Sequence, residues 1–290
     1  MTEASLPHVA PLGKSARGVG LGLRAEFAEE LLAADAPEIR WLEIHPENYI
    51  GRGGAFAAHL EAALARSPVL THGLSLCVGA REPFDAHYVA ELKLLLRRTG
   101  GAWHSEHLAW GNVGAAFAHD LLPLPFTKEA IDVACARIRE LRDAIEVDVA
   151  VENTSYYAHP GGMRGMREID FVREVLDASG AKLLLDVNNV FVNAQNHGFD
   201  AREWLALVPM ERVAGLHVAG HFVRSDSTIV DTHGEPIRSE VLELTGEVLA
   251  RLPAGVPVLL ERDLNHPPLA ELRAEIATLS RLAERAEAHE

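Results

Sequence analysis

Nine side chains in this chain are of types that bind metal and stand at comparable places: His72, His107, Glu152, Asp186, Asn189, His217, Asp231, His233 and Glu261. Six of them lie in, or close, short apolar runs. Thr71-His72 precedes Gly-Leu-Ser-Leu, Trp103-His104-Ser105-Glu106-His107 ends one run, and Val149-Ala150-Val151-Glu152 ends another. Leu183-Leu184-Leu185-Asp186, Gly215-Leu216-His217 and Val258-Leu259-Leu260-Glu261 close three more. Asn189 follows three residues after Asp186, and Asp231-Thr232-His233 lies between the last two runs. Imidazoles and carboxylates with one amide oxygen and no thiolate suit a borderline-to-hard metal such as iron, manganese or zinc. Nine ligands exceed what one ion takes, so the set fits two or three ions, with Glu152 or Glu261 bridging.

Each residue also has a plainer reading. A lone histidine at a strand end is more often a satisfied polar residue than a ligand. Asp186 could serve only to cap the next helix. Asp231-Thr232-His233 could be a surface turn, and Glu261-Arg262-Asp263 a salt-bridged strand end. The joint pattern outweighs these readings, because a fold without a metal centre has no reason to place acids and histidines at six consecutive strand ends.

The elements that position these residues alternate. Continuous apolar runs at 18–23, 41–45, 69–76, 102–107, 147–152, 182–186, 213–217 and 256–261 read as strands buried on both faces. Helical patterns follow at 25–34, 55–65, 86–98, 128–145, from Asp170 as cap to about 178, 201–208, 240–251 and 269–288. A long excursion separates the fourth run from its helix, and a polar loop follows the seventh. Eight strand–helix alternations predict a closed (β/α)₈ barrel, a TIM barrel in the α/β class, as a single domain over 17–290. Residues 1–16 read as a loose leader. In such a barrel the active site lies at the C-terminal strand ends, so the nine residues are expected to converge on one mouth. An open doubly wound sheet lacks support, since Gly18-Val19-Gly20-Leu21-Gly22 is only a fragment of the dinucleotide fingerprint.

Composition narrows the function. The 290 residues are 48% hydrophobic and 24% charged, which supports one large core. The net charge of −15 argues against binding a nucleic-acid backbone. Cys77 and Cys135 form no Cys-x-x-Cys pair, so neither a disulfide framework nor a zinc knuckle is indicated. No signal peptide and no apolar span of about 18 residues is present, so a cytoplasmic protein with no membrane association is expected. No Gly-x-Ser-x-Gly elbow or P-loop occurs. His45 could line the mouth, and His197, His221 and Glu106 could orient ligands. Strand alternation points Glu106 and His107 to opposite sides, so only one of them is expected to be a direct ligand.

Several separated motifs carry a resemblance. Glu47-Asn48-Tyr49, His72-Gly73-Leu74-Ser75-Leu76, Ser105-Glu106-His107-Leu108, Glu152-Asn153, Asp186-Val187-Asn188-Asn189, His217-Val218-Ala219-Gly220-His221, Asp231-Thr232-His233 and Glu261-Arg262-Asp263 occur in that order. The chain resembles, over about residues 18–263, the multinuclear non-haem iron-dependent oxidative enzymes, which include the methanobactin-biosynthesis oxygenase and the bufferin-maturation enzymes. The resemblance implies a (β/α)₈ barrel carrying two or three irons, mixed Fe(II)/Fe(III), with O₂ as co-substrate. It implies His72, His107 and Glu152 around one iron. Glu152, as bridge, with Asp186, His217 and Glu261 surround the next, and Asn189, Asp231 and His233 the third. It further implies oxidation of a ribosomally made precursor peptide, often at cysteine, with a separate partner protein holding the peptide's leader. Glu106 stands where some relatives have Asp. Two alternatives stay open: a divalent-metal barrel of the sugar isomerase or endonuclease type, and a metal-storing or scaffold protein with no catalysis.

Overall fold

The computed structural model describes residues 15–113, 116–159 and 165–288, leaving aside the side chains of 112–120. Residues 1–14 of the expected 1–16 leader lie outside the described residues. Eight parallel strands close into a barrel: β1 (Val19–Gly22), β2 (Leu42–Ile44), β3 (Val69–Gly73), β4 (Trp103–His107), β7 (Asp148–Glu152), β8 (Lys182–Asp186), β9 (Val213–Val218) and β12 (Val258–Leu260). The ring closes through β1 against β12, with Val19 opposite Val258. Helices α1 (Ala28–Ala33), α2 (Ala55–Arg66), α3 (Ala86–Thr99), α4 (Lys128–Ile145), α5 (Glu168–Ser179), α6 (Val187–His197), α7 (Ala201–Ala206), α8 (Ser239–Leu249) and α9 (Leu269–Glu287) connect the strands. The expected (β/α)₈ barrel is therefore the fold. Among the described residues no helix is long and apolar enough to cross a membrane.

Local chemistry explains the helix starts. Asp85 caps α3 by accepting from the amides of His87 and Tyr88, and Thr127 caps α4 at Ala130. Asp170, expected to cap α5, instead sits in its first turn and pairs with Arg167 at 2.7 Å. Arg167 holds the cap position in extended conformation and makes no side-chain cap bond.

Three elements depart from the sequence reading. The long excursion contains an antiparallel hairpin, β5 (Ala109–Val113) with β6 (Ala116–Pro123). The polar loop after the seventh run contains a small ribbon, β10 (Phe222–Val223) with β11 (Ile229–Val230). Helix α6 begins directly at the end of β8, with Asp186 as its N-cap. Polar and aromatic residues obscure its apolar periodicity, because it buries Asn188, Asn189 and Asn193 as well as valines.

The barrel interior is layered. Trp41, Leu70, Trp103, Ala150, Leu184 and Leu259 form an apolar floor. Gly20 makes room for it, since a Cβ there would sit 2.4 Å from the Trp41 ring. Two residues further along the same strands, the inward positions become Glu43, His72, Ser105, Glu152, Asp186 and Glu261, as the two-residue period requires. The polar site therefore rests on a dry plug.

Candidate metal centre

Three ligand atoms meet above the floor. His72 Nε2 lies 3.1 Å from His107 Nε2, and each lies 3.2 Å from Glu152 Oε2. An ion with ligands at about 2.1 Å and right-angled bonds sets adjacent ligands ~3.0 Å apart, and a tetrahedral one ~3.4 Å apart. The near-equilateral triangle fits one face of such an ion. Glu152 turns its other oxygen elsewhere: Oε1 lies 3.0 Å from His217 Nδ1, which is 2.8 Å from Glu261 Oε2. Glu152, Asp186, His217 and Glu261 bring ligand atoms within 4.8 Å of one another, all buried. Glu152 thus faces both groups, the arrangement of a bridging carboxylate.

A third group forms around His233, whose two ring nitrogens face different acids. Nδ1 lies 3.2 Å from Asp263 Oδ2 and 3.3 Å from Glu261 Oε2. Nε2 lies 2.7 Å from Asp231 Oδ1 and 3.8 Å from Asp186 Oδ2. The contact of Nδ1 with Asp263 is aligned as a hydrogen bond, whereas Nε2 is buried with no aligned partner. The neutral imidazole therefore keeps its proton on Nδ1 and turns the Nε2 lone pair to the site. Asp186 Oδ2 and Asn189 Oδ1 are likewise buried without hydrogen-bond partners. Buried polar atoms are rarely left so. A lone pair 2.7 Å from a carboxylate oxygen requires a proton or a cation between them. Eight of the nine residues named from the sequence thus meet in three adjoining groups, and Asn189 lines the same cavity.

Several neighbours set the ligand orientations. Ser105 Oγ donates to the Thr71 carbonyl at 3.3 Å, so it accepts from His72 Nδ1 at 2.9 Å and leaves Nε2 bare. Glu43 Oε2 accepts from His217 Nε2 at 3.0 Å, so the neutral imidazole keeps its proton there and turns Nδ1 toward Glu152 and Glu261. Asp263 does the same for His233, and Arg24 holds Asp263 with Nε 2.9 Å from Oδ1. Such carboxylate–histidine pairs are the usual support of a metal-binding imidazole. Asp231 accepts from Asn188 Nδ2 at 2.8 Å and Ser155 Oγ at 2.9 Å, and Asn188 in turn contacts His221 Nδ1 at 2.8 Å. Asp186 caps α6 through Oδ1, 2.7 Å from the Asn189 amide, while Oδ2 faces the site. The plain reading of Asp186 and the functional one therefore hold together, one oxygen each.

Sequence reasoning passed over Glu43 and Arg24, and it read Asp263 only as part of a salt-bridged strand end. A signal existed for two of them. Glu43 stands alone among apolar neighbours in Trp41-Leu42-Glu43-Ile44, and Asp263 lies two residues beyond Glu261, on the same side of an extended chain. Other candidates reach different partners. His197 Nε2 contacts the Tyr156 carbonyl at 2.9 Å, away from the cluster. His45 Nδ1 contacts the His72 carbonyl at 3.0 Å. Glu106 points away from His107 and lies 3.0 Å from His104 Nε2, as alternation predicts.

The electrostatics suit a cationic occupant. Burial opposes charging His217 and His233, yet the carboxylates around them hold both well above the ordinary histidine range. Burial raises Glu152 and Glu261, but the neighbouring imidazoles hold both below the usual carboxylate range. Asp186 goes the other way: burial, with the charges of Glu152, Asp231 and Glu261, pushes it well up. Protons shared among these groups stand where metal charge would, so metal uptake should release them. His107, buried and beside His72, is pushed down to about 4 and is neutral at pH 7.

The cluster forms one wall of a cavity of about 430 Å³. The opposite wall comes from Leu74, Leu76 and Cys77 after β3 and from Trp110 and Leu121 of the hairpin. The Gly79 amide donates to the Ala109 carbonyl at 3.1 Å and joins these two segments.

The sequence model of the RiPP precursor modification enzyme family MbnB/TglH/ChrH matches residues 18–284. A UPF0276 protein of Shewanella amazonensis is 42% identical over 257 residues, covering 89% of this chain and 91% of its own. A UPF0276 protein of Pseudomonas aeruginosa is 42% identical over 269 residues, covering 92% and 93%. Among solved structures, a xylose isomerase domain protein from Alicyclobacillus acidocaldarius superposes with a TM-score of 0.62 at 17% identity, over 93% of this chain and 99% of its own. D-Psicose 3-epimerase from Clostridium cellulolyticum does so with 0.56 at 13%, over 94% and 97%. At those identities the likeness extends to the barrel alone.

Proposed function

The chain belongs to the MbnB/TglH/ChrH family of RiPP precursor modification enzymes, and from that premise and the cluster geometry we propose that it oxidises a ribosomally made precursor peptide, at cysteine, with O₂ and a two- or three-iron centre. The observation that carries the reading is the junction at Glu152, whose two oxygens face His72 and His107 on one side and His217 on the other. A mononuclear isomerase or hydrolase has no use for such a shared acid beside a further set at Asn189, Asp231 and His233.

His72, His107 and Glu152 would hold one iron. Glu152, Asp186, His217 and Glu261 would hold a second, and Asn189, Asp231 and His233 a third. Bound iron supplies one-electron chemistry with O₂ and an open position for a thiolate. The chain's own residues do the rest. Ser105, Glu43 and Asp263 hold three imidazoles in the tautomer that presents a lone pair to the site. The Trp41 and Trp103 floor excludes water from below, and Leu74, Leu76 and Trp110 exclude it from the side. Leader recognition falls to a separate partner protein, and the reaction takes place in the cytoplasm.

The test is elemental analysis of protein purified without chelator, with Mössbauer spectroscopy of an iron-57 sample. Two to three coupled, partly ferrous irons per chain are expected. Stoichiometric zinc or manganese, with iron absent after iron supplementation, would overturn the reading and favour an isomerase or hydrolase barrel.

A further inference from the structure

Eight large apolar side chains are exposed among the described residues, and all but Leu94 lie in segments that follow C-terminal ends of barrel strands. Six of the others form two arcs. Leu74 follows β3, and Leu121 and Leu122 belong to the hairpin after β4. Phe222 and Val223 form β10 after β9, and Leu264 follows β12. In the closed strand order, β3 and β4 stand diametrically opposite β9 and β12. A line between these strand ends crosses the mouth that holds the metal-ligand cluster.

Single exposed apolar residues are ordinary, but here Leu74 and Leu121 line one cavity, Leu264 follows its lining residue Asp263, and Phe222 pairs with Val230 beside its lining residue Asp231, and such a set marks a contact surface. The cavity fixes what meets it. Leu74 and Leu121 share its lining with Glu152, Asp231, His233 and Glu261, so any molecule whose reacting atom reaches the cluster lies against them.

We infer that the mouth holds the substrate peptide as an extended segment laid across the barrel, with apolar side chains on either side of the reacting residue packed against the two arcs. The inference rests on the peptide-modifying reading above. Strand spacing of ~4.8 Å and a tilt of ~36° make an eight-stranded barrel ~15 Å across, which an extended chain at ~3.3 Å per residue spans in about five residues. The reacting residue sits at the centre. Side chains two positions before and after it point to the same face and reach the arcs.

The test uses fluorescein-labelled heptapeptides with a central serine or cysteine and either leucine or aspartate two positions to each side. Binding to the full-length protein as isolated is read by fluorescence anisotropy. The leucine peptides should bind at least tenfold more tightly than the aspartate peptides, with serine or cysteine at the centre. Leu121→Asp and Phe222→Asp should each remove that preference with metal content unchanged, while Leu94→Asp keeps it. Equal binding of the two peptides, or a preference surviving both mouth variants, would overturn the inference. So would a dimer in sedimentation equilibrium that Phe222→Asp dissociates, which would give the surface to a second copy. The metal content of the same preparation separates the two readings. A flank preference in protein that takes up zinc or manganese but no iron overturns the proposed reaction alone, and two to three irons per chain without a flank preference overturn the docking alone.

Discussion

His107 is the proposed ligand with the least support of its own: its Nδ1 is buried without a hydrogen-bond partner, and it is 13% exposed at its side chain. It contributes to the cluster rather than to the core. His107→Ala should therefore lose about one metal equivalent and all turnover while circular dichroism and the unfolding midpoint stay near the parent's. Full activity in that variant would remove His107 from the site. Glu43 tests the opposite case, a residue that touches no metal. Its carboxylate fixes the His217 ring, and losing such a partner typically weakens metal binding about 10- to 100-fold. Glu43→Gln should show a loss of that size in a competition titration with a chromophoric chelator. An unchanged affinity would mean that His217 needs no such brace.

At the scale of elements, the site depends on how closely β1 and β2 approach. Gly20 admits the Trp41 ring, and Trp41 Nε1 donates to the Gly18 carbonyl at 3.1 Å. Gly20→Ala should cost about 1–3 kcal/mol through overpacking, measured by urea unfolding. Adding Trp41→Phe should recover part of that loss, and an additive double variant would show that the two residues do not meet. The strand ends were legible because a parallel strand buried on both faces is a continuous apolar run, and an acid or histidine terminates it visibly. The hairpin β5–β6 and the ribbon β10–β11 were not, because short antiparallel pairs within loops have no continuous apolar run to mark them. Helix α6 was hidden for a related reason: its buried face includes asparagines that bond to strand-end carbonyls, as Asn189 Nδ2 does to Asn153 O at 3.1 Å.

For the molecule as a whole, one buried acid outside the metal cluster makes stability depend on pH. Glu168 accepts from Asn193 Nδ2 at 3.2 Å, and burial pushes its carboxyl up to about 8. The folded chain then keeps a proton that the unfolded chain gives up near the ordinary carboxylate value of about 4.5. This stabilisation is complete below about pH 4.5 and is lost as the pH rises through about 8, at up to ~1.4 kcal/mol per pH unit. Glu168→Gln keeps the shape and cannot titrate. Its unfolding free energy should therefore lack that fall between pH 5 and 8. Parallel curves for parent and variant would show that Glu168 is ionised in the fold.

The sequence alone determined the barrel and singled out nine candidate residues at its strand ends and loops, because strand periodicity and strand-end chemistry are local properties of the chain. Only the tertiary structure decided which atoms face one another. That Glu152 turns one oxygen to His72 and the other to His217, and that Arg24, Asp263 and His233 form one chain, are contacts between residues far apart in sequence. Closure of the barrel sets them, and no spacing along the chain encodes it. The two apolar arcs have the same origin, since β3 and β4 come to stand opposite β9 and β12 only when the ring is shut.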